Sequence, residues 1–252
     1  MYVQFAKNGL SLLLIVFCLI SCEDNGNPVQ DCNPKLHSDT TLKVLPLGDS
    51  RVEGGSPEYE SYRYILWKKL IENAWDVDFI GSREEQAQQA PVLGTCFDND
   101  HEGTGGAITT DILETLMQIG DDYGVPDIVL LGIGGNDLLD AGATPEATIA
   151  NIESIIDQLQ SQSPKVIIFL EQIAPGVSSL MTPAFTTQFN TFNAGILEVA
   201  QRKSNANSKV VAIDMAADWK DEYLADPVHY NLAGARVVAD RYFAAIELNV
   251  TK

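Results

Sequence analysis

From Leu42 onward, short runs of aliphatic residues alternate with longer segments whose apolar positions recur every three or four residues. No other feature restricts the fold as much. The runs lie at Leu42–Leu47, Val77–Ile80, Asp127–Ile133, Lys165–Leu170 and Lys209–Ile213, and several are nearly continuous in Val, Ile and Leu. A strand with one wet face alternates apolar with polar residues, whereas an unbroken apolar run fits a strand buried on both faces. Between the runs, Ser61–Asn73, Ile108–Ile119, Pro145–Gln162, Pro183–Lys203 and Asn231–Leu248 carry helical periodicity. The alternation predicts a doubly wound α/β domain with a five-stranded parallel sheet flanked by helices on both faces. Ligands of such sheets bind in a crevice beyond the carboxyl ends of the strands. The chemistry is therefore to be sought in "GDSR" after the first run, "GIGGND" after the third, and the loops that follow the others.

A chain of 252 residues, 45% of them hydrophobic, suits one compact domain with an amino-terminal extension. Acidic residues outnumber basic ones 35 to 16, and the net charge of -19 repels nucleic acid and anionic membranes. Nucleic acid is thus not an expected partner. Residues 1–22 differ from the rest, with Lys7 ahead of the apolar run Leu10–Ile20. That run is short for a membrane span and suits an export signal. Its ending, "LISC", resembles a bacterial lipobox, which would make Cys22 a lipid-bearing residue and the only point of membrane attachment. An ordinary signal peptide cut near the same place is the alternative. Residues 23–41 are polar and rich in Asn, Asp and Pro, as a tether is, and residues 42–252 form the domain. The acids after Cys22 resemble the surface-export signals of some lipoproteins. The expected location is the bacterial envelope, at the outer membrane or cell surface, or outside the cell. With Cys18 in the apolar run and Cys22 in the lipobox, Cys32 and Cys96 remain and are expected to pair in an oxidising compartment.

Ser50 sits between Asp49 and Arg51, just after the first strand candidate. Alone, it reads as a turn or cap residue. Serine hydrolysis needs more than a serine: an imidazole base, a group that orients it, and donors aimed at the oxyanion. Only His37, His101 and His229 exist, and His37 lies in the tether. In "LADPVHYNLAG", Asp226 stands three residues before His229, close enough in a turn to reach Nδ1 and leave Nε2 for a serine. An isolated Asp-x-x-His is more often a solvated loop. "GIGGND" presents Asn136 after an apolar strand, and "HEGTGGAITTDIL" presents glycines before a helix, where backbone N–H groups approach a ligand closely. Two such donors and an amide would make an oxyanion hole.

In family order, "GDSR", "GTGGAI", "GGND" and "DPVH" resemble the four blocks of the SGNH, or GDSL-type, hydrolases, a flavodoxin-like fold, over almost the whole of Leu42–Leu248. "LPLGDS", "SYRYILWKKL", "VDFIGS" and "DNDHEGTGG" are similar to the family-three carbohydrate esterases, which remove acetyl groups from xylan. The resemblance implies Ser50 as nucleophile, His229 as base and Asp226 as its orienter. It further implies Ser50 N, Gly106 N and the Asn136 amide as oxyanion donors, with no cofactor. The expected partner is an acylated carbohydrate. The alternatives are another SGNH ester hydrolase, such as a lysophospholipase, thioesterase or glycan deacylase, and a catalytically silent glycan-binding lipoprotein.

His101, Glu102 and Gly103 match the His-Glu-Gly of that subgroup, so His101 is expected to shape the substrate pocket or hold its loop. Arg51 departs from the family, which has Ile or Leu there. It has two readings: it turns away onto an acid in the crevice wall, or it contacts an anionic group of the substrate. Asp98, Asp100, His101 and Glu102 offer metal ligands, but they lack the spacing of an EF-hand or an HExxH helix, so no catalytic metal is expected. A structural calcium is the alternative. Arg63 reads as a buried partner of acidic loop residues, and Tyr59, Tyr62, Trp67 and Trp75 as either sugar platform or core, with Trp67 favoured for core.

Overall fold

In the computed structural model, the described residues are Cys32, Ser38, 40–85, 89–116 and 124–252. The expected signal, Cys22, His37 and most of the tether lie outside them. All five expected strands form: β1 (Leu42–Gly48), β2 (Val77–Phe79), β5 (Ile128–Gly132), β6 (Ile167–Gln172) and β7 (Val210–Asp214). Two short strands join them, β3 (Arg83–Glu84) and β4 (Asp100–Gly103), giving seven where five were expected. β2 and β4 share one edge of β1, with Val77 opposite Leu42 and Glu102 opposite Leu47. β5, β6 and β7 follow on the other side of β1, all parallel, and only β3 runs antiparallel, against β4.

Alternate residues of the central strands feed two cores, as the period of two along a strand requires. Leu45, Leu47, Val129 and Leu131 face the layer of α3 (Thr109–Leu116), α5 (Pro145–Gln162) and α6 (Pro183–Lys203). Val44, Ile128 and Leu130 face the layer of α2 (Arg63–Glu72) and α7 (Leu232–Asn249). Helices α5 and α6 begin on the same device: a Thr N-cap, Thr144 or Thr182, followed by Pro at the first helical position. Tyr62 and Trp67 are fully buried and Trp75 nearly so, so Trp67 takes the core place favoured for it, and Tyr62 and Trp75 are core residues rather than a sugar platform.

The end of the tether is tied down. Cys32 and Cys96 are disulfide-bonded, and Ser38 and Thr41 both donate to Asp76 Oδ2. The seven-stranded sheet thus leaves its carboxyl ends at Gly48, Gly103, Gly132, Gln172 and Asp214, where the loops that matter begin.

Candidate active site

At the end of β1 the backbone turns sharply into α1 (Ser50–Glu53). Gly48 permits this turn, because a Cβ there would stand 2.0 Å from Gly132 O on the neighbouring strand. Asp49 caps the turn, its Oδ1 accepting from Arg51 N at 2.9 Å. Ser50 is the first residue of the turn, where a backbone N–H has no intrahelical acceptor and is open to a ligand. The far end of the turn is held by fully buried Arg63, which donates to Val52 O at 2.8 Å and Glu53 O at 2.8 Å. Arg63 also reaches Asn99 O and Glu85, so its acidic partner is joined by three backbone carbonyls.

His229 comes from the loop before α7. Its Nε2 lies 2.8 Å from Ser50 Oγ and its Nδ1 lies 2.6 Å from Asp226 Oδ2. An ionised carboxylate only accepts, so Nδ1 carries the proton and Nε2 accepts from the serine hydroxyl. Asp226 Oδ1 accepts from His229 N at 2.7 Å and Val228 N at 2.9 Å. Partial burial pushes the Asp226 carboxyl up, but the hydrogen bonds from His229 and Val228 outweigh it and hold the group below its ordinary value. The Tyr59 ring stacks on the imidazole, with centroids 4.1 Å apart and 22° between the planes.

Past β5, Gly134 starts the short helix α4 (Gly135–Leu139) in the left-handed region, at φ 111°. Asn136 Nδ2 donates to Ala107 O at 2.9 Å, using one of its two protons and leaving the other for a ligand. Its neighbour Asp137 is buried and accepts from Thr109 N and from Thr109 Oγ1 at 2.5 Å. Two consecutive side chains of "GGND" therefore pin the segment that holds Gly106. Gly106 itself is exposed, at φ 76°, and its N–H donates to no group among the described residues.

His101 is buried on β4, where its Nδ1 accepts from Gly103 N at 3.0 Å. Burial, followed by the charges of Arg63 and Arg83, drives its pKa down to about 3, so it is a neutral loop holder. Among the described residues Arg51 forms no ion pair, although its charge reaches the buried carboxyls of Asp49 and Glu171. Its Nε donates to Val228 O at 2.8 Å and one Nη donates to Ala174 O at 2.6 Å. Backbone carbonyls stand where one reading put a carboxylate, each bond charge-assisted by the guanidinium. Among the described residues no group of three His, Cys, Asp or Glu side chains converges on a cation position. Asp98 accepts from Phe79 N and Glu102 from Ser82 N.

A small cavity of about 50 Å³ opens beside Ser50 and Asn136, walled by Leu139, Ile173, Phe185 and Phe189. Buried Glu171 lies at its floor and accepts from Tyr242 Oη at 2.7 Å. Desolvation raises its pKa to about 7 against the opposing pull of Tyr242 and Arg51. A larger groove of about 880 Å³ runs past Glu53, Arg83 and Arg236 but touches neither Ser50 nor His229. Chemistry, not volume, locates the site. Asp137 and Glu171 are absent from the sequence reading, and Tyr59, read there as sugar platform or core, instead stacks on the imidazole of His229. Asp137 had a signal in its position directly after Asn136; the other two reach the site through tertiary packing alone.

Residues 47–237 match the GDSL-like lipase/acylhydrolase family. The chain belongs to that family. Among solved structures, the fold is similar to a family 3 carbohydrate esterase from Clostridium thermocellum, 28% identical, with a TM-score of 0.67 over 82% of this chain and 96% of that one. It is also similar in fold to a family 3 carbohydrate esterase from Talaromyces cellulolyticus, 24% identical, with a TM-score of 0.69 over 82% and 97% of the two chains. A multidomain esterase of Ruminococcus flavefaciens is 27% identical over 262 residues, and this chain spans 97% of its own length but 32% of that relative's. The resemblance to GDSL-type hydrolases, and to the family-three carbohydrate esterases among them, is borne out, as is the α/β sheet that the alternating runs predict.

Proposed function

We propose that the chain is a serine esterase that removes acetyl or other short acyl groups from a carbohydrate through an acyl-enzyme. The observation that carries this reading is the continuous relay from Asp226 to His229 to Ser50, at 2.6 and 2.8 Å. Ser50 Oγ attacks the ester carbonyl as its proton passes to His229 Nε2. Asp226 keeps the imidazole in the tautomer that accepts that proton and stabilises the imidazolium that follows. The oxyanion is met by Ser50 N, Gly106 N and the second proton of Asn136 Nδ2. The imidazolium returns its proton to the leaving hydroxyl of the sugar, and water activated by His229 then releases the acid. Supporting a short acyl group, the cavity beside Ser50 is about 50 Å³.

For location, the reading is an exported lipoprotein held to the bacterial envelope by a lipid on Cys22. The disulfide between Cys32 and Cys96 supports an oxidising compartment. A longer acyl chain is the second reading, favoured by the apolar walls of Phe185 and Phe189. The test is release of p-nitrophenol from acetyl, butyryl and octanoyl esters, with acetate release from a panel of acetylated polysaccharides. The reading requires the acetyl ester to be fastest and Ser50→Ala to be inert. A purified Ser50→Ala protein with parental rates overturns it, and an octanoyl optimum transfers the assignment to the second reading.

A further inference from the structure

Arg51 follows Ser50 directly, yet its side chain works on the opposite wall of the crevice. Val228 O, which accepts from its Nε, lies between Pro227 and His229, 177 residues along the chain, and Ala174 O lies just past β6, 123 residues along. Val228 also donates its N–H to Asp226 Oδ1 at 2.9 Å. The guanidinium carbon sits 4.9 Å over the ring of buried Tyr230, and the Nη that holds Ala174 O lies 3.5 Å from Tyr230 Oη. One side chain therefore joins three pieces: the turn that carries the nucleophile, the loop that carries base and orienter, and the loop after the neighbouring strand.

Two buried carboxyls, Asp49 and Glu171, share the space beneath and both feel the positive charge of Arg51. A guanidinium bound on two nitrogens to fixed carbonyls, with its face on an aromatic ring, has little reach left for a substrate at the mouth. We infer that Arg51 is a positioning residue, tying the Asp226–His229 loop to the nucleophile turn so that His229 Nε2 stays within hydrogen-bond distance of Ser50 Oγ. This inference rests on the esterase reading above. An apolar residue at the same position can fill space but leaves Val228 O and Ala174 O without this donor. Misplacing reacting groups by about 1 Å costs roughly 10²-fold in rate.

The test compares the full chain with Arg51→Met, Arg51→Lys and Arg51→Ala, each checked for a parental circular-dichroism spectrum and melting above the assay temperature. Three quantities are measured: kcat and KM on p-nitrophenyl acetate, the labelling rate of Ser50 by a fluorophosphonate, and recovery of Arg51→Ala by added ethylguanidinium. The inference requires kcat to fall roughly 10²-fold in Arg51→Met with KM within about twofold. The labelling rate must fall in step, the loss must be equal on neutral and acidic acetylated glycans, and ethylguanidinium must restore at least part of it. If Arg51→Met does not fold, Arg51→Lys carries the same test, because it keeps the charge and loses the two-carbonyl grip. Parental kcat in a folded variant overturns the inference, as does a loss confined to KM or to acidic glycans, which would make Arg51 a substrate contact. A parent that neither hydrolyses esters nor labels overturns the esterase reading itself, a result visible before any variant is made.

Discussion

Glu171 is a carboxyl buried in the floor of the site, 2.7 Å from Tyr242 Oη and packed against the Cα of Gly132. Burial raises its pKa from 4.5 to about 7, while Tyr242 and Arg51 pull the other way and Asp49 adds to the rise. A folded-state value above the unfolded one means that the protonated acid favours the fold. That contribution is complete below pH 4.5 and is lost as pH rises towards about 7. It is on the order of 3 kcal/mol. Glu171→Gln keeps the acceptor for Tyr242 and removes the titration. Its melting temperature should therefore rise relative to the parent between pH 4.5 and 7 and hold a constant difference above that range. Thermal melts at closely spaced pH values check this, and parallel curves contradict it. Ser50 and Asn136 were legible because each follows a strand run in a family-like block, and Asp226 and His229 because their three-residue spacing stands just ahead of the last helix. Glu171, the stacking of Tyr59 on His229 and the grip of Arg51 were not, because each depends on a contact between segments far apart in sequence.

The elements divide in the same physical way. Helices α5 and α6 have the ends expected of them, because a Thr-Pro start and many turns of apolar periodicity both point to one answer. The one-turn helices α1 and α4 are too short to carry a period, and β4, "DHEG", has no apolar run at all. It forms because the carboxyl end of β1 presents a free edge beyond the reach of β2, and its polar side chains find partners such as Gly103 N and Ser82 N. Helix α4 matters most for chemistry, since it carries Asn136 and Asp137. At its start a Cβ on Gly134 would lie 2.6 Å from the Phe192 ring, in a backbone region that L residues rarely adopt. Gly134→Ala should lower stability by about 1–3 kcal/mol and reduce kcat by displacing Asn136 from the Gly106 segment. Urea unfolding and p-nitrophenyl acetate kinetics read the two effects separately, and a variant with parental values on both contradicts the role given to this turn.

At the scale of the molecule, the parallel sheet sets the nucleophile, donor and base loops along one rim, so segments more than 170 residues apart meet within hydrogen-bond distance. The disulfide closes a loop with a sequence separation of 64 and ties Cys32 to the segment ahead of β4. In the chain-entropy account, such a loop stabilises by up to about 4 kcal/mol. Reduction, or the paired change Cys32→Ala and Cys96→Ala, should lower the melting temperature while leaving kcat at 25 °C near the parental value, since neither cysteine lines the cavity beside Ser50. Melts with and without reductant, alongside ester kinetics, decide it. The central claim is that Ser50 is a nucleophile activated by His229. Intact-mass and peptide analysis after treatment with a fluorophosphonate tests it most directly. One adduct on Ser50 in the parent, none in Ser50→Ala, and labelling slowed by orders of magnitude in His229→Ala is the result the account predicts; an unlabelled parent, or an adduct on another residue, would contradict it.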